Sequence, residues 1–336
     1  MGWTAASASG QEPPDGTKID GVVAIVGDKV VTRSDLAAAM EFQVALLNAR
    51  QAGGMDANEV QQEFRELQTE IRDNLVNNTL ILLEAEEEGL SVDDQVNRQA
   101  GKLRQAMAEN PAEMSAFLRA RGYGSLDEYL TAMREEVLRQ RIVMLRVRAR
   151  SEITDEELEA AFSKRYGPTA GSRCKGARLI SNSVSQIWFP LLAEASMERV
   201  LEIYAQAYRC YKALEGGGFA AEDVAQKCST SELRPDFGSV GELDETHAFE
   251  AAFQEAFDQL LESSIARPVS QPVMGQDGVR ILMVTDRQEV CVTDADDVAR
   301  MRTALKVRLE DRKFQKAMKF WLEELRGKYQ VQIRPL

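Results

Sequence analysis

The strongest constraint in this chain is a repeated piece of punctuation. A Ser, Thr or Asp followed three residues later by an acid occurs at Thr32…Asp35, Asp56…Glu59, Ser91…Asp94, Ser125…Glu128 and Thr154…Glu157. At each place the first side-chain oxygen can accept from the third helical amide, while the acid faces the positive end of the helix. Asn110-Pro111 adds a start with proline at the first helical position. Gly89 and Gly122 stand where a left-handed residue closes a helix. The spacing predicts helices near 33–50, 57–88, 92–109, 111–121, 126–149 and 155–165. Leu80, Leu83 and Leu90 fall on one apolar stripe at helical spacing, which reads as helix-on-helix core.

The flanks do not follow this pattern. "GVVAIVGDKVVT", Gly21 to Thr32, reads as a β-hairpin around Gly27-Asp28. A lone hairpin is marginal in water, so a further strand is needed. The tail "YQVQIRP" alternates like a strand and is expected to supply it, after a long helix opened by Thr293…Asp296 and running to about Arg326. That pairing would make the segment between the two ends an insertion in a discontinuous domain.

The insertion has its own texture. After the linker "GPTAGSR" comes a short strand, "GARLI", then a helix near 194–215 that stops at Gly216-Gly217-Gly218. A second helix reads from "FAAEDVAQKCS" and a third from residues near 247–262. The hairpin "SQPVMGQDGVRILMVTDR" closes the unit, with Arg280 interrupting an otherwise apolar second strand. The expected class is α+β. The expected divisions are a disordered lead-in 1–18, a helical domain 19–166, a linker 167–173, an inserted module 174–289 and a completing helix and strand 290–336.

Composition removes several function classes. A net charge of −13 opposes nucleic acid as a main partner, because phosphate binding needs clustered cations. The densest basic stretch, "RQRIVMLRVRAR" from Arg139 to Arg150, has helical spacing and reads as a solvated helix face or as a partner-binding patch. His247 is the only histidine, which excludes mechanisms needing two imidazoles and leaves no His-rich metal site. Its place, after "LDET", reads as a surface position at a helix start, with a pocket-rim role as the alternative. Cys174, Cys210, Cys228 and Cys291 contain no C-x-x-C pair, and their spacing does not distinguish two disulfides from four buried thiols. There is no P-loop and no G-x-G-x-x-G after a strand, so no nucleotide or other cofactor is expected. No apolar run reaches the roughly 18 to 20 residues of a membrane span.

In order and spacing these pieces resemble the SurA-like periplasmic chaperones. The resemblance rests on "VVAIVGDKVVTRSDL", "LLEAEEEGLSVDDQV", "FLRARGYGSLDEYLTAMREEVLRQRIV" and "ITDEELEAAF" in the helical part. In the insertion it rests on "LEGGGFAAEDVAQKCS", "FGSVGEL" and "PVSQPVMGQDGVRILMVTDR", which are similar to a parvulin-type peptidyl-prolyl isomerase domain with a four-stranded antiparallel sheet plus helices. The resemblance implies an ATP-independent periplasmic holdase for unfolded outer-membrane proteins, its helical domain completed by the C-terminal helix and strand.

The same resemblance marks a departure. The family's first-strand histidine would fall at Arg178 or Leu179, its last-strand histidine at Arg280, its central-loop Cys or Asp at Ser231, and the polar residue before the strand glycine at Asp277. Both imidazoles are absent, and a permanent guanidinium cation stands where a neutral donor–acceptor is needed. Val240, Phe249 and Phe253 match the apolar positions of the proline pocket, and also suit plain core. The expectation is a chaperone whose isomerase chemistry is weak or lost. The alternatives are an active isomerase for secreted proteins and an envelope scaffold binding a folded partner. Met40, Met55, Met107, Met114, Met133 and Met144 would suit an adaptable client surface, or core.

Overall fold

The computed structural model describes residues 20–168, 173–192, 195–215, 228, 236–247, 249, 251–265 and 267–336. The expected lead-in 1–18, most of the linker, most of the second insertion helix and Ser231 lie outside the described residues.

The helix starts form for the reason their sequence gave. Strands β1 (Val22–Val26) and β2 (Lys29–Thr32) lead directly into α1 (Arg33–Ala52). There Thr32 Oγ1 accepts from the Asp35 amide at 3.2 Å, and the Asp35 carboxylate accepts from the Thr32 amide at 2.9 Å. The same reciprocal pair joins Thr154 and Glu157 at the start of α6 (Asp155–Tyr166). Asp56 caps α2 (Ala57–Glu87) and Ser125 caps α5 (Leu126–Arg146). Asn110, followed by Pro111, caps α4 (Pro111–Ala120). At α3 (Asp93–Glu109) the expectation is corrected. Val92 holds the cap position without a side-chain bond, and Ser91 accepts from the Asp93 amide instead. Gly89 and Gly122 take φ of 64° and 81°, which lets the amides of Leu90 and Tyr123 turn back onto the carbonyls of Ala85 and Leu118.

The N-terminal hairpin gains its third strand from the far end of the chain. β7 (Val331–Ile333) pairs antiparallel with β1, giving the order β2-β1-β7. The buried face of this sheet, Val23, Val26 and Val31, packs on Leu36, Met40, Val76, Leu80 and Leu83, and on Trp321 and Leu325 of the last helix. That helix, α9, runs from Ala295 to Lys328; Asp294, not Thr293, caps it, accepting from the amides of Asp296 and Asp297. The two chain ends therefore make one core.

The module between them consists of β3 (Ala177–Pro190), α7 (Met197–Glu215), β4 (Asp236–Leu243), α8 (Ala251–Glu262), β5 (Val273–Gly275) and β6 (Gly278–Val292). Its four strands are antiparallel in the order β4-β3-β6-β5. The expected short first strand is in fact 14 residues long, because it is paired on both sides. The third helix begins at Ala251 rather than near 247, since Asp244–His247 form a turn. One sheet face, with Ile187, Phe189, Val279 and Ile281, is covered by Ile203, Ala207 and Cys210 of α7. The other, with Val184, Leu282 and Val284, is covered by Phe253, Phe257 and Leu260 of α8.

The module is seated on the helical domain at two places. Ala49 of α1 enters the core beneath α7, and a Cβ on Gly53 would come within 2.6 Å of the Ala205 carbonyl oxygen. At the other end β3 and β6 continue as a two-stranded ribbon, whose Ala177, Leu179, Val290 and Val292 pack on Phe162 and Tyr166 of α6 and on Met301 and Leu305 of α9. Cys174 is disulfide-bonded to Cys291 and Cys210 to Cys228, a pairing the spacing had left open.

Candidate functional site

The β5–β6 turn builds the module's candidate site. Gly278 has φ of 149°, and a Cβ there would lie 2.2 Å from the Phe189 carbonyl oxygen, so only glycine lets β6 start this close to β3. A Cβ on Gly275 would lie 2.6 Å from the Phe253 ring. These two close approaches set Arg280 opposite Trp188 in the strand register, with Phe253 beside it.

Arg280 is fully engaged there. Its two terminal nitrogens donate to the two Asp277 carboxylate oxygens at 2.7 and 2.6 Å. Its guanidinium carbon lies 5.2 Å from the centroid of the Trp188 ring and 5.0 Å from that of Phe253, within the range of cation–π attraction. The bonds from Arg280 hold the Asp277 carboxyl below its usual value. A planar, permanently charged fork held by a carboxylate and two rings has no proton to exchange near neutral pH. Among the described residues, this arrangement can bind or brace.

The other sequence-marked residues fall in different places. Leu179 stands opposite Val290, nine positions from Trp188 and so about 30 Å along the strand at 3.3 Å per residue. It is core of the ribbon and is not brought to Arg280. Arg178 is opposite Cys291, donates to the Gly167 carbonyl at 3.1 Å and pairs with Glu289. Phe253 is at the site; Phe249 packs edge-on against Phe257 at 5.2 Å, in the same cluster. Val240 lies at the bulge of β4, is 37% exposed and does not join that cluster. His247 accepts the Asp244 amide on Nδ1, in a cleft of about 610 Å³ between the module and α9 that Arg308 crosses to reach Glu245 and Asp258. Trp188 is the site residue missed in the sequence; the alternation of "SVSQIWF" was its signal.

A second site lies on the helical domain. A cavity of about 680 Å³ opens between α1, the first half of α2 and β1. Its walls are Val23, Leu36, Ala37, Met40, Val44 and Phe64, with Arg33, Glu41 and Gln68 at the rim and Leu336 beside it. The lining is apolar and the polar groups are peripheral, which suits capture of apolar side chains rather than chemistry. Met40 lines it, whereas Met55 is buried beneath Tyr208 and Met144 is exposed elsewhere. No group of three or more metal-ligating side chains occurs among the described residues, and none of their helices is long and apolar enough to cross a membrane.

The cavity lies in the segment that known proteins share. Residues 3–143 match the family model of the SurA-like N-terminal domain. The module inserted in this chain has the four-stranded antiparallel sheet plus helices that the resemblance implied. Among solved structures, one described with the SurA-like chaperones of Campylobacter jejuni is 11% identical, with 94% of this chain and 100% of that chain covered at a TM-score of 0.37. The PrsA peptidylprolyl isomerases of Bacillus cereus and Bacillus anthracis are 12% and 14% identical, at TM-scores of 0.27 and 0.26. The first covers 91% of both chains; the second covers 78% of this chain and 98% of its own. No curated protein matches the chain.

Proposed function

We propose that this chain is an ATP-independent holdase for extended, apolar polypeptides outside the cytoplasm, with unfolded outer-membrane proteins as its clients. The observation that carries this reading is the open apolar cavity of the SurA-like domain, whose walls come from α1, α2 and β1. An apolar side chain of an unfolded client would leave water there at about 25 cal/mol per Å² of buried surface, and no nucleotide is needed for that exchange. The net charge of −13 keeps such a carrier soluble while it holds sticky clients. Two disulfides fit an oxidising compartment, and hence a periplasmic location. The division into a helical domain, an inserted module near 174–289 and a completing segment from 290 onward belongs to this proposal.

In this reading the module braces or contacts clients without isomerising them. Parvulin-type catalysis must lower a C–N rotation barrier of about 18–20 kcal/mol by binding the twisted amide in a preorganised polar setting. Arg280, tied to Asp277 and covered by Trp188 and Phe253, occupies that setting. The test is light scattering from a diluted, denatured outer-membrane β-barrel protein in ATP-free buffer. The expected result is suppression at stoichiometric amounts; unchanged scattering at twofold excess of this chain would remove the proposal.

A further inference from the structure

We propose that the Cys174–Cys291 disulfide is a thiol-exchange site that straps the root of the inserted module, with a dithiol reductant as its reaction partner. The two cysteines are 117 residues apart and stand where the chain enters and leaves the module, so their bond closes a loop around all of it. Only Lys175 and Gly176 separate Cys174 from the start of β3, and Cys291 is the penultimate residue of β6. The strap therefore sits at the outer end of the ribbon, next to the pairs Ala177–Val292 and Arg178–Cys291.

Exposure separates this bond from the other one. Cys291 is exposed and Cys174 half-buried, whereas Cys210 is fully buried in the module's core and its partner Cys228 is half-buried, so only the first bond has an exposed end. Thiol–disulfide exchange needs in-line access of a thiolate to a sulfur, so accessible bonds exchange and buried ones persist. In the exchange step a thiolate of the reductant attacks Cys291 Sγ, the Sγ–Sγ bond breaks, and Cys174 leaves as a thiolate that takes up a proton. The reductant's second thiol, as its thiolate, then displaces Cys291 from the mixed disulfide. The products are two cysteine thiols and one oxidised dithiol, a balanced two-electron transfer.

The consequence falls on the ribbon. Ala177, Leu179, Val290 and Val292 are the apolar contacts through which this end of the module rests on α6 and α9, beside the ion pairs of Arg165 and Arg308 with Glu245. From residue 182 to 188 β3 is a central strand, flanked by β4 and β6, but at residues 177–181 it is paired with β6 alone. A two-stranded stretch is the least stable part of such a sheet, and the strap holds its open end. Reduction frees that end, so the ribbon opens more often and the module's seating on α6 and α9 loosens.

The test uses the full chain in its folded state with dithiothreitol as the probe. Thiols released with time are alkylated and located by mass spectrometry, and amide hydrogen exchange is followed on the same samples. The expected result is alkylation of Cys174 and Cys291 at least tenfold faster than of Cys210 and Cys228. Exchange over 177–181 and 286–292 should rise at least tenfold, with 184–189 and 279–284 unchanged. The double variant Cys174→Ala/Cys291→Ala should show the same raised exchange without reductant. Equal reactivity of the two disulfides would overturn the exchange site, and selective reduction with unaltered ribbon exchange would overturn the strap.

Discussion

Glu84→Gln tests whether the two chain ends make one domain. Glu84 is on α2, and its side chain is only 6% exposed. Its carboxylate accepts from Lys328 at 2.7 Å, from the Tyr329 hydroxyl at 2.9 Å and from Arg146 at 3.3 Å. Helix α2 is thereby tied to α5 and to the end of α9, just before β7. Breaking a buried pair costs about 3–5 kcal/mol when the orphaned charges stay buried. Here Lys328 and Arg146 are about 40% exposed, so water recovers part of that loss, and both keep a second carboxylate, Glu87 and Glu88 respectively. The amide of glutamine also keeps one acceptor. The expected loss is about 2–3 kcal/mol, or about 5–10 °C in Tm for a domain of this size. Thermal unfolding followed by circular dichroism reads it, with Lys328→Met as a smaller companion. A loss under about 0.5 kcal/mol, within the range of an ordinary surface change, would refute the idea that Glu84 clamps the C-terminal segment.

Other outcomes follow from the same geometry. Gly278→Ala should destabilise the module by at least about 2 kcal/mol, because a Cβ would meet the Phe189 carbonyl at a positive φ. Gly241→Ala, also at positive φ but with open space around it, should cost clearly less in the same denaturant titration; equal costs would contradict the close-approach argument. The Tyr329 hydroxyl and Lys328 hold Glu87 below its usual 4.5, and Arg280 holds Asp277 below its usual 3.8. A depressed folded-state pKa adds stability above the unfolded value, and this is lost as pH falls through the folded one. Stability should therefore decline below about pH 4.5, and Glu87→Gln should flatten the upper part of that decline; an identical acid limb would count against it. Exchange NMR on a short Xaa-Pro peptide should show no faster cis–trans exchange with the protein present, and acceleration would restore the isomerase reading.

Helix boundaries were legible where a single local interaction decides them. Thr32, Ser125 and Thr154 each bond the amide three residues on, and the helices begin there. Val92 and Asp294 were missed because neighbouring oxygens compete for the same amides, and one residue of displacement costs little. β3 was cut short because "SNSVSQ" is polar enough to read as loop. Its pairing with both β4 and β6 overrides that, and Asn182, buried inside it, donates to the carbonyls of Ile180 and Leu243. The same shortening hid Trp188 and put Leu179 in its place. The Cys174–Cys291 bond had no local signal at all, since it follows from the β3–β6 register across 117 residues. Arg280 and Asp277 were legible as an oddity of the strand, while their mutual clamp and the two rings covering them are tertiary facts.

The most direct measurement compares two variants in the ATP-free aggregation assay. Ala37→Arg fills the apolar cavity from an exposed helix position where arginine is a good helix former, and Arg280→Ala empties the module's site. If clients are held in the cavity, Ala37→Arg should require at least fivefold more protein for half-suppression, with Arg280→Ala within twofold of the parent chain. Undiminished suppression by Ala37→Arg, or its loss in Arg280→Ala alone, would contradict the proposal that the cavity of the helical domain holds the client.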